Sequence, residues 1–287
     1  MAKLGKFNWF NITFISFNTV VGLVGTPIYI AYNGLAWDEI ALFVFFCIAT
    51  GMAITVGYHR LFAHASYRVH PFVRFLLVFF GSAAFEQSAL AWSSQHRDHH
   101  RFVDTENDPY SIKKGFFWAH MGWLVAGKYQ FHYTNVDDLV RSPLLMHQAK
   151  YYVPWAVVAG VITPVVIGSF FGHALSAFII SVCFRVTLVY HSTWCINSVC
   201  HTFGNRTYDK TATARDHWLV AILTFGEGYH NFHHRFPSDY RNGVRWYHWD
   251  PSKWLIAFLE KVRLARGLMR VPEASIARAK LSGTVSA

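Results

Sequence analysis

The stretch Ser93-Ser94-Gln95-His96-Arg97-Asp98-His99-His100 places three histidines at i, i+3 and i+4, a spacing that puts three imidazoles on one face of a helix. Gly228-Tyr229-His230-Asn231-Phe232-His233-His234 repeats the H-x-x-H-H pattern some 130 residues later. Upstream, His59-Arg60-Leu61-Phe62-Ala63-His64 adds an H-x4-H pair. A lone pair of this kind is commonly a surface or core feature. Three boxes, two of them with identical spacing, define a candidate nitrogen-rich metal centre.

The surroundings of the boxes are apolar. Of 287 residues, 53% are hydrophobic, 18% aromatic and only 15% charged, against roughly 25% charged in an average soluble domain. That composition indicates a membrane protein. The formal net charge of +10 is carried by basic residues between long apolar runs, which favours a lipid surface or an acidic protein partner over nucleic acid. Cys47, Cys183, Cys195 and Cys200 lie in or beside apolar segments without C-x-x-C spacing, so they read as small packed residues rather than a disulfide framework. Lys3 and Lys6 precede the first apolar run without an evident small-residue cleavage site, and that run is expected to be a retained span.

Four stretches reach the roughly 20 apolar residues that a membrane-crossing helix needs: 12–32, 40–58, 153–171 and 174–193. The apolar stretch Phe75 to Phe85 has only 11 residues, which fits an interfacial or protein-buried helix. Were it a span, the first and second boxes would face opposite sides of the membrane. With four spans all three boxes share one side. Of the 26 Lys and Arg residues, 2 precede the first span, 10 lie between Arg60 and Lys150, 13 follow His201, and Arg185 alone sits within a span. The positive-inside rule therefore places both termini and every box in the cytoplasm. Arg185 either snorkels to the interface or has a structural role in the bundle. A basic amphipathic helix begins at Asp250-Pro251, with Trp254, Leu255, Phe258, Leu259, Val262 and Leu268 at helical spacing and Lys253, Lys261, Arg263 and Arg266 interleaved. Such a helix lies on a protein or lipid surface or docks an acidic electron donor. Residues 271–287 are expected to fray as a flexible tail, and the whole of 1–287 reads as one domain, with cap segments 59–150 and 194–270.

Eight box imidazoles exceed what one tetrahedral ion can use, so the count argues for two metals. Imidazole suits several transition metals; the membrane-embedded aromatic setting, where a hydrocarbon substrate and oxygen activation are expected, favours two iron ions. Asn197 and His201, four apart beyond the fourth span, can face the same centre, although a histidine at a helix C-terminus can instead face its own last carbonyls. His70, His120, His132, His147, His173, His191, His217 and His248 lack box spacing and are read as structural. Glu86 and Asp98 are candidate acceptors orienting ligand imidazoles, and Asp98 can equally pair with Arg97 or Arg101.

These residues carry a resemblance. From about Gly51 to Arg270 the chain resembles the membrane fatty acid desaturases of the Δ9 class, which include stearoyl-CoA desaturases and bacterial and cyanobacterial acyl-lipid desaturases. Its motifs are Gly57 to His64, His96 to His100 followed by Asp108-Pro109, Gly115 to Trp123, Asn197 to His201, and Gly226 to His234. The resemblance implies an all-α integral membrane protein, four transmembrane helices under a cytosolic helical cap with a di-metal site. It implies that His59, His64, His96, His99 and His233 serve one iron, and that His100, His201, His230 and His234, with Asn197 through water, serve the other. The implied reaction uses O2 and two electrons to place a cis double bond, at Δ9, in a saturated acyl chain. Trp194 stands where the family has a tunnel-lining tryptophan; an interfacial belt residue is the alternative.

Departures narrow the expectation. Animal acyl-CoA enzymes carry Arg-Asp before the second box, where this chain has Ser94-Gln95, so CoA, lipid and acyl carrier protein all remain open as the carrier. The third box begins with His230, unlike a front-end desaturase. No H-P-G-G haem motif is present, and a separate donor is expected, such as ferredoxin or a cytochrome-b-type protein with its reductase. A bacterial cell membrane is expected in preference to the endoplasmic reticulum. Two rivals stand: a related di-iron hydroxylase, which product analysis distinguishes, and a membrane metal carrier or sensor, which needs a polar path through the spans.

Overall fold

The computed structural model describes residues 7–127 and 131–282; Lys3, Lys6 and the last residues of the expected tail lie outside the described residues. Among the described residues, four helices are long and apolar enough to cross a membrane: α1 (Trp9–Asn33), α2 (Trp37–Ala63), and, after several shorter helices, α5 (Tyr152–Phe170) and α6 (Ala174–Ser198). The two longest of these shorter helices are α3 (Pro71–Ser82) and α4 (Ala89–Phe102). Two of the four outrun the sequence expectation at the histidine-bearing end, α2 reaching Ala63 and α6 Ser198. Their last turns, among them Tyr58, His59, Arg60 and Trp194, are buried in protein, so no lipid selects for apolar side chains there and hydropathy does not mark them. The two helices therefore run on past residues 59 and 194 into the histidine-bearing region, and Asn197 belongs to α6.

At the opposite end the two short turns meet. Glu39 accepts from the Ala36 amide and the Tyr29 hydroxyl, and His173 lies 3.5 Å from Asp38 and 3.6 Å from Glu39. Inside the bundle α1 and α6 cross at Gly22, where a Cβ would stand 2.7 Å from Phe184 Cα; only a glycine permits that approach. Helix α3 does not span. It buries Val73, Leu77 and Val78 and exposes Phe72 and Phe75, the one-sided pattern of an interfacial helix.

Arg185 takes the structural role. It is 0% exposed and donates to the carbonyls of Ser181, Ala83 and Gly160 and to Thr50 Oγ1. One guanidinium thus ties α2, α5, α6 and the end of α3 together, five planar donors suiting such divergent acceptors.

The cap is built from both sides of α5 and α6. After α6 come α7 (Trp218–Leu223), α8 (His230–Arg235), α9 (Pro251–Lys261) and α10 (Glu273–Ser282). A two-residue strand β1 (Arg68–Val69) pairs antiparallel with β2 (Ala265–Arg266), joining the two cap segments. Helix α9 is capped by Asp250, whose side chain accepts from the Lys253 amide, and buries Ile256 and Leu259 while exposing Trp254 and Phe258, the amphipathic character expected. Within 271–282 the flexible-tail expectation is overturned. Ile276 and Ala279 of α10 are buried against Tyr208 and Phe232, and two small apolar contacts in an otherwise polar stretch are too weak a sequence signal to mark a packed helix.

Replacing Arg185 with methionine should leave the Ala83 and Gly160 carbonyls unpaired, costing about 2–6 kcal/mol for two buried acceptors. Thermal unfolding in detergent checks this; an Arg185→Met midpoint equal to that of the wild type would contradict the bracing role.

Candidate metal centre

The first box works because α2 changes its winding. Residues five apart on a regular α-helix point about 140° away from each other, so His59 and His64 would diverge. From Ala53 to Ala63 the helix is instead π-wound, and the His64 amide donates to the His59 carbonyl at 3.0 Å. An i→i+5 bonded turn stacks residues five apart, and the two rings stand 4.7 Å apart. π-turns of this kind recur at functional sites.

The nine histidines fall into two groups of converging ring nitrogens, His59, His64, His96, His100 and His233 in one, and His99, His201, His230 and His234 in the other. The division expected from the resemblance is corrected at one point: His99 and His100 change places. Helix geometry explains it. Residues i and i+4 lie about 40° apart on the wheel and i and i+3 about 60° apart on the other side, so His96 and His100 share a group while His99 turns to its neighbour. Box three does the same in mirror fashion, with His230 and His234 together and His233 opposite. Each H-x-x-H-H box thus gives its i,i+4 pair to one group and its remaining histidine to the other.

Hydrogen-bond acceptors set the tautomers. His59 Nδ1 lies 2.8 Å from Glu227 and His99 Nδ1 2.9 Å from Asp108, which places their protons on Nδ1 and leaves Nε2 lone pairs facing inward. His201 Nδ1 meets Thr213 Oγ1 at 2.7 Å, and Thr213 in turn donates to Asp104. Tyr110 Oη stands 3.4 Å from His96 Nδ1. Glu227 is itself gripped by the buried Arg60, which also pairs with Asp250. Burial alone would raise the Glu227 carboxyl, but His59 and Arg60 outweigh it and hold it below its usual range. The orienting acceptors are thus Glu227 and Asp108; Asp98 meets His132 and Asn135, and Glu86 accepts from Trp92 and Thr193. Glu86 reaches a box histidine indirectly, because Trp92 stacks on His96 at 4.9 Å. Glu227, three residues before His230, was legible as a carboxylate beside a box; Thr213 and Asp104 carry no sequence mark.

The donor set fits metal. Nε2 atoms of His59 and His233, of His64 and His96, and of His100 and His233 are each 3.0 Å apart, as are those of His230 and His234, with His201 and His230 at 3.1 Å. Two nitrogens at right angles, each about 2.1 Å from one ion, stand about 3.0 Å apart. Burial first, and then the neighbouring histidines, pushes His64, His96, His100, His230, His233 and His234 well below their usual value, and burial with His99 does so for His201. Neutral, buried lone pairs aimed at one another need a cation between them.

A cavity of about 350 Å³ opens on this cluster, within the range of small-molecule sites. His59, His96 and His230 form its head, Trp92, Tyr190 and Trp194 its walls, and it extends to Cys47 in α2. Trp194 is 2% exposed, which places it in the cavity wall and excludes the belt alternative. Asn197 faces the same cavity. Glu86 is aimed into it between two left-handed residues, Phe85 (φ 58°) and Gln87 (φ 76°), a local strain typical of functional positions, and burial pushes its carboxyl up to about 7. Ser94 and Gln95 are buried and present no charge at the position before the second box. Among the histidines read as structural, His120 and His191 pair at 3.0 Å beside Trp194, a contact that sequence spacing does not reveal.

A family model described as fatty acid desaturase matches residues 39–265. A probable acyl-CoA desaturase of Schizosaccharomyces pombe is 36% identical over 93% of this chain and 57% of its own length. Acyl-CoA desaturase 1 of Saccharomyces cerevisiae is 36% identical over 95% of this chain and 54% of its own. Human stearoyl-CoA desaturase 5 is 34% identical over 86% of this chain and 77% of its own length. The chain thus spans a little over half the length of the two yeast relatives. Relatives from yeasts and animals give a bacterial membrane no support over the endoplasmic reticulum.

The depressed histidines make the metal-free fold acid-sensitive. The unfolded chain takes up protons near its usual histidine value of about 6.5, which the folded cluster refuses, so stability is present above that pH and lost below it. Each such group contributes up to about 1.4 kcal/mol per pH unit. Chemical denaturation of metal-free protein at about pH 7.5 and 5.5 should show a marked fall; equal midpoints would contradict the neutral cluster.

Proposed function

Since the chain belongs to the fatty acid desaturase family, we propose that this integral membrane protein inserts a cis double bond at carbon nine of a saturated acyl chain carried on CoA. The observation that carries the reading is the apolar cavity whose head is formed by histidines of both groups. In the reaction, –CH2–CH2–, O2, two electrons and two protons give –CH=CH– and two waters. Two iron ions, held by His59, His64, His96, His100 and His233 and by His99, His201, His230 and His234, with Asn197 through water, supply oxygen activation when bound. The CoA carrier is supported by the names of the yeast relatives, acyl-CoA desaturases. The histidine-bearing side is read as cytoplasmic from the Lys and Arg distribution.

The protein's own share is positioning and exclusion of water. Tyr190 and Trp194 pack ring on ring at 5.0 Å and give the acyl chain a rigid wall. Tyr190 also donates to the Phe85 carbonyl, fixing the loop that carries Glu86. Glu86 in turn ties Trp92 of α4 to Thr193 of α6 beneath His96, so the wall and the histidine head cannot move independently. Glu227 and Asp108 hold the Nδ1 protons of His59 and His99. An acyl chain, with no polar group along its length, matches these walls; an ion path would need polar lining through the spans.

The depth of the cavity sets a length limit. Cys47 precedes His59 by 12 residues, at most about 18 Å along a helix, the π-wound part from Ala53 onward rising less per residue. Cys47→Phe should fill the deep end and shift products toward shorter chains without abolishing turnover, which fatty-acid profiling of an expressing host reads; an unchanged chain-length profile would refute the placement. In the same assay the wild type should raise monounsaturated over saturated chains, and His100→Ala and His234→Ala, one from each group, should each abolish the gain while the protein stays in the membrane. Near-normal turnover in either variant would refute the two-group assignment, and a wild type that leaves the ratio unchanged, with iron and a competent donor supplied, would refute the function.

A further inference from the structure

A run of aromatic rings leads outward from the second histidine group to solvent. Tyr229 immediately precedes His230, and its ring stacks on His248 at 4.6 Å and 10°. His248 meets Tyr247 edge-on at 5.1 Å, and Tyr247 meets Trp246 at 5.6 Å. Exposure climbs along the run, from 2% at His230 to 64% at Tyr247 and 85% at Trp246. The stack depends on Gly243, where a Cβ would stand 2.7 Å from His248 Cβ and 2.9 Å from the Tyr229 ring. The loop is also held rigid: Lys253 Nζ donates to the carbonyls of Gly243, Arg245 and His248.

The outer end combines Arg245, Trp246 and Tyr247, all exposed. Arg, Trp and Tyr are the residue types that dominate binding energy at protein interfaces. The field there is positive. Burial first, then Lys253, Arg245 and Lys280, lowers His248 to about 4, against a small opposing effect of Asp250. Tyr208, which feels Asp216 and Glu273 as well as Arg245 and Tyr247, packs under α10, whose Lys280 lies over the Tyr208 ring and whose Arg278 faces solvent. The loop therefore adjoins a polar, basic part of the cap, which suits a protein better than acyl chains.

We propose that loop 245–248 is the docking surface for an acidic one-electron carrier protein, and that Trp246, Tyr247, His248 and Tyr229 bridge electron tunnelling from it to the group containing His230. The inference rests on the desaturase reading, which requires two electrons per double bond. In each transfer the carrier's cofactor is oxidised by one electron and the metal pair is reduced by one; no protein bond forms or breaks and no ring is itself oxidised. Two carriers serve each turnover. A tunnelling rate falls steeply with the gap to be crossed, and ring contacts that end in a covalent link to His230 shorten the gaps.

The test uses the full chain in nanodiscs and two probes, the soluble haem domain of a cytochrome b-type protein and a plant-type [2Fe–2S] ferredoxin. Binding of the oxidised probe is measured by biolayer interferometry at low and high salt, and probe re-oxidation by stopped-flow absorbance; dithionite-driven turnover serves as the control. Arg245→Glu and Trp246→Ala should each weaken binding of at least one probe about tenfold or more, with salt weakening the wild type. His248→Leu should leave binding unchanged and slow probe re-oxidation about tenfold or more, while His248→Phe, which keeps a ring in the stack, restores it. Dithionite-driven turnover should be the same in all variants. The proposal is overturned if neither probe binds the wild type at low salt, if the variants bind and re-oxidise probes as the wild type does, or if Trp246→Ala alters only retention in lipid vesicles. A wild type that makes no product with dithionite would instead defeat the reaction reading, and the binding measurements would still judge the surface.

Discussion

Neutral imidazoles buried with their lone pairs toward one another repel unless positive charge lies between them, and that single electrostatic demand organises the cap. Nine histidine rings are gathered in two groups, contributed by the ends of α2 and α6, by α4 and by α8. Because each group draws on elements far apart in sequence, cations bound there would act as cross-links between the membrane bundle and the cap. Arg60 strengthens the same junction without metal. It joins Glu227, which orients His59, to Asp250, which caps α9. A displacement of the cap would therefore disturb the histidine head and break a fully buried ion cluster together, and breaking such a cluster is strongly destabilising.

The lower half of the structure answers to a different requirement, an apolar space meeting a polar head at a fixed place. Arg185 clamps the bundle around that space from four directions. Glu86, between two left-handed residues, closes the wall just below His96. Polar groups inside an otherwise apolar region are costly, and Arg185 and Glu86 are matched to acceptors or donors that fix helices relative to one another. The cavity walls are thus tied to the histidine head, which suits the proposed selection of one carbon–carbon bond among many equivalent ones.

Much of this was legible in the residues. The three boxes marked all nine histidines once His201 was added, because H-x-x-H-H on a helix has few structural uses. Apolar run lengths marked four spans and set α3 apart. The i,i+4 rule, applied strictly, separates His96 and His100 from His99; family likeness alone misplaced that one exchange. What stayed hidden depended on tertiary contact. The π-winding that aligns His59 with His64, the reach of α2 and α6 into the cap, the Thr213–Asp104 support of His201 and the packing of α10 leave no periodic trace in sequence. Arg185 is instructive, since its sequence position posed the question of its role and only its partners answered it.

The two histidine groups are proposed to bind two redox-active metals, one in each. Elemental analysis by mass spectrometry of active, monodisperse protein measures it directly. Two irons per chain are expected; a ratio of one or none in protein that turns over would refute a metal in each group.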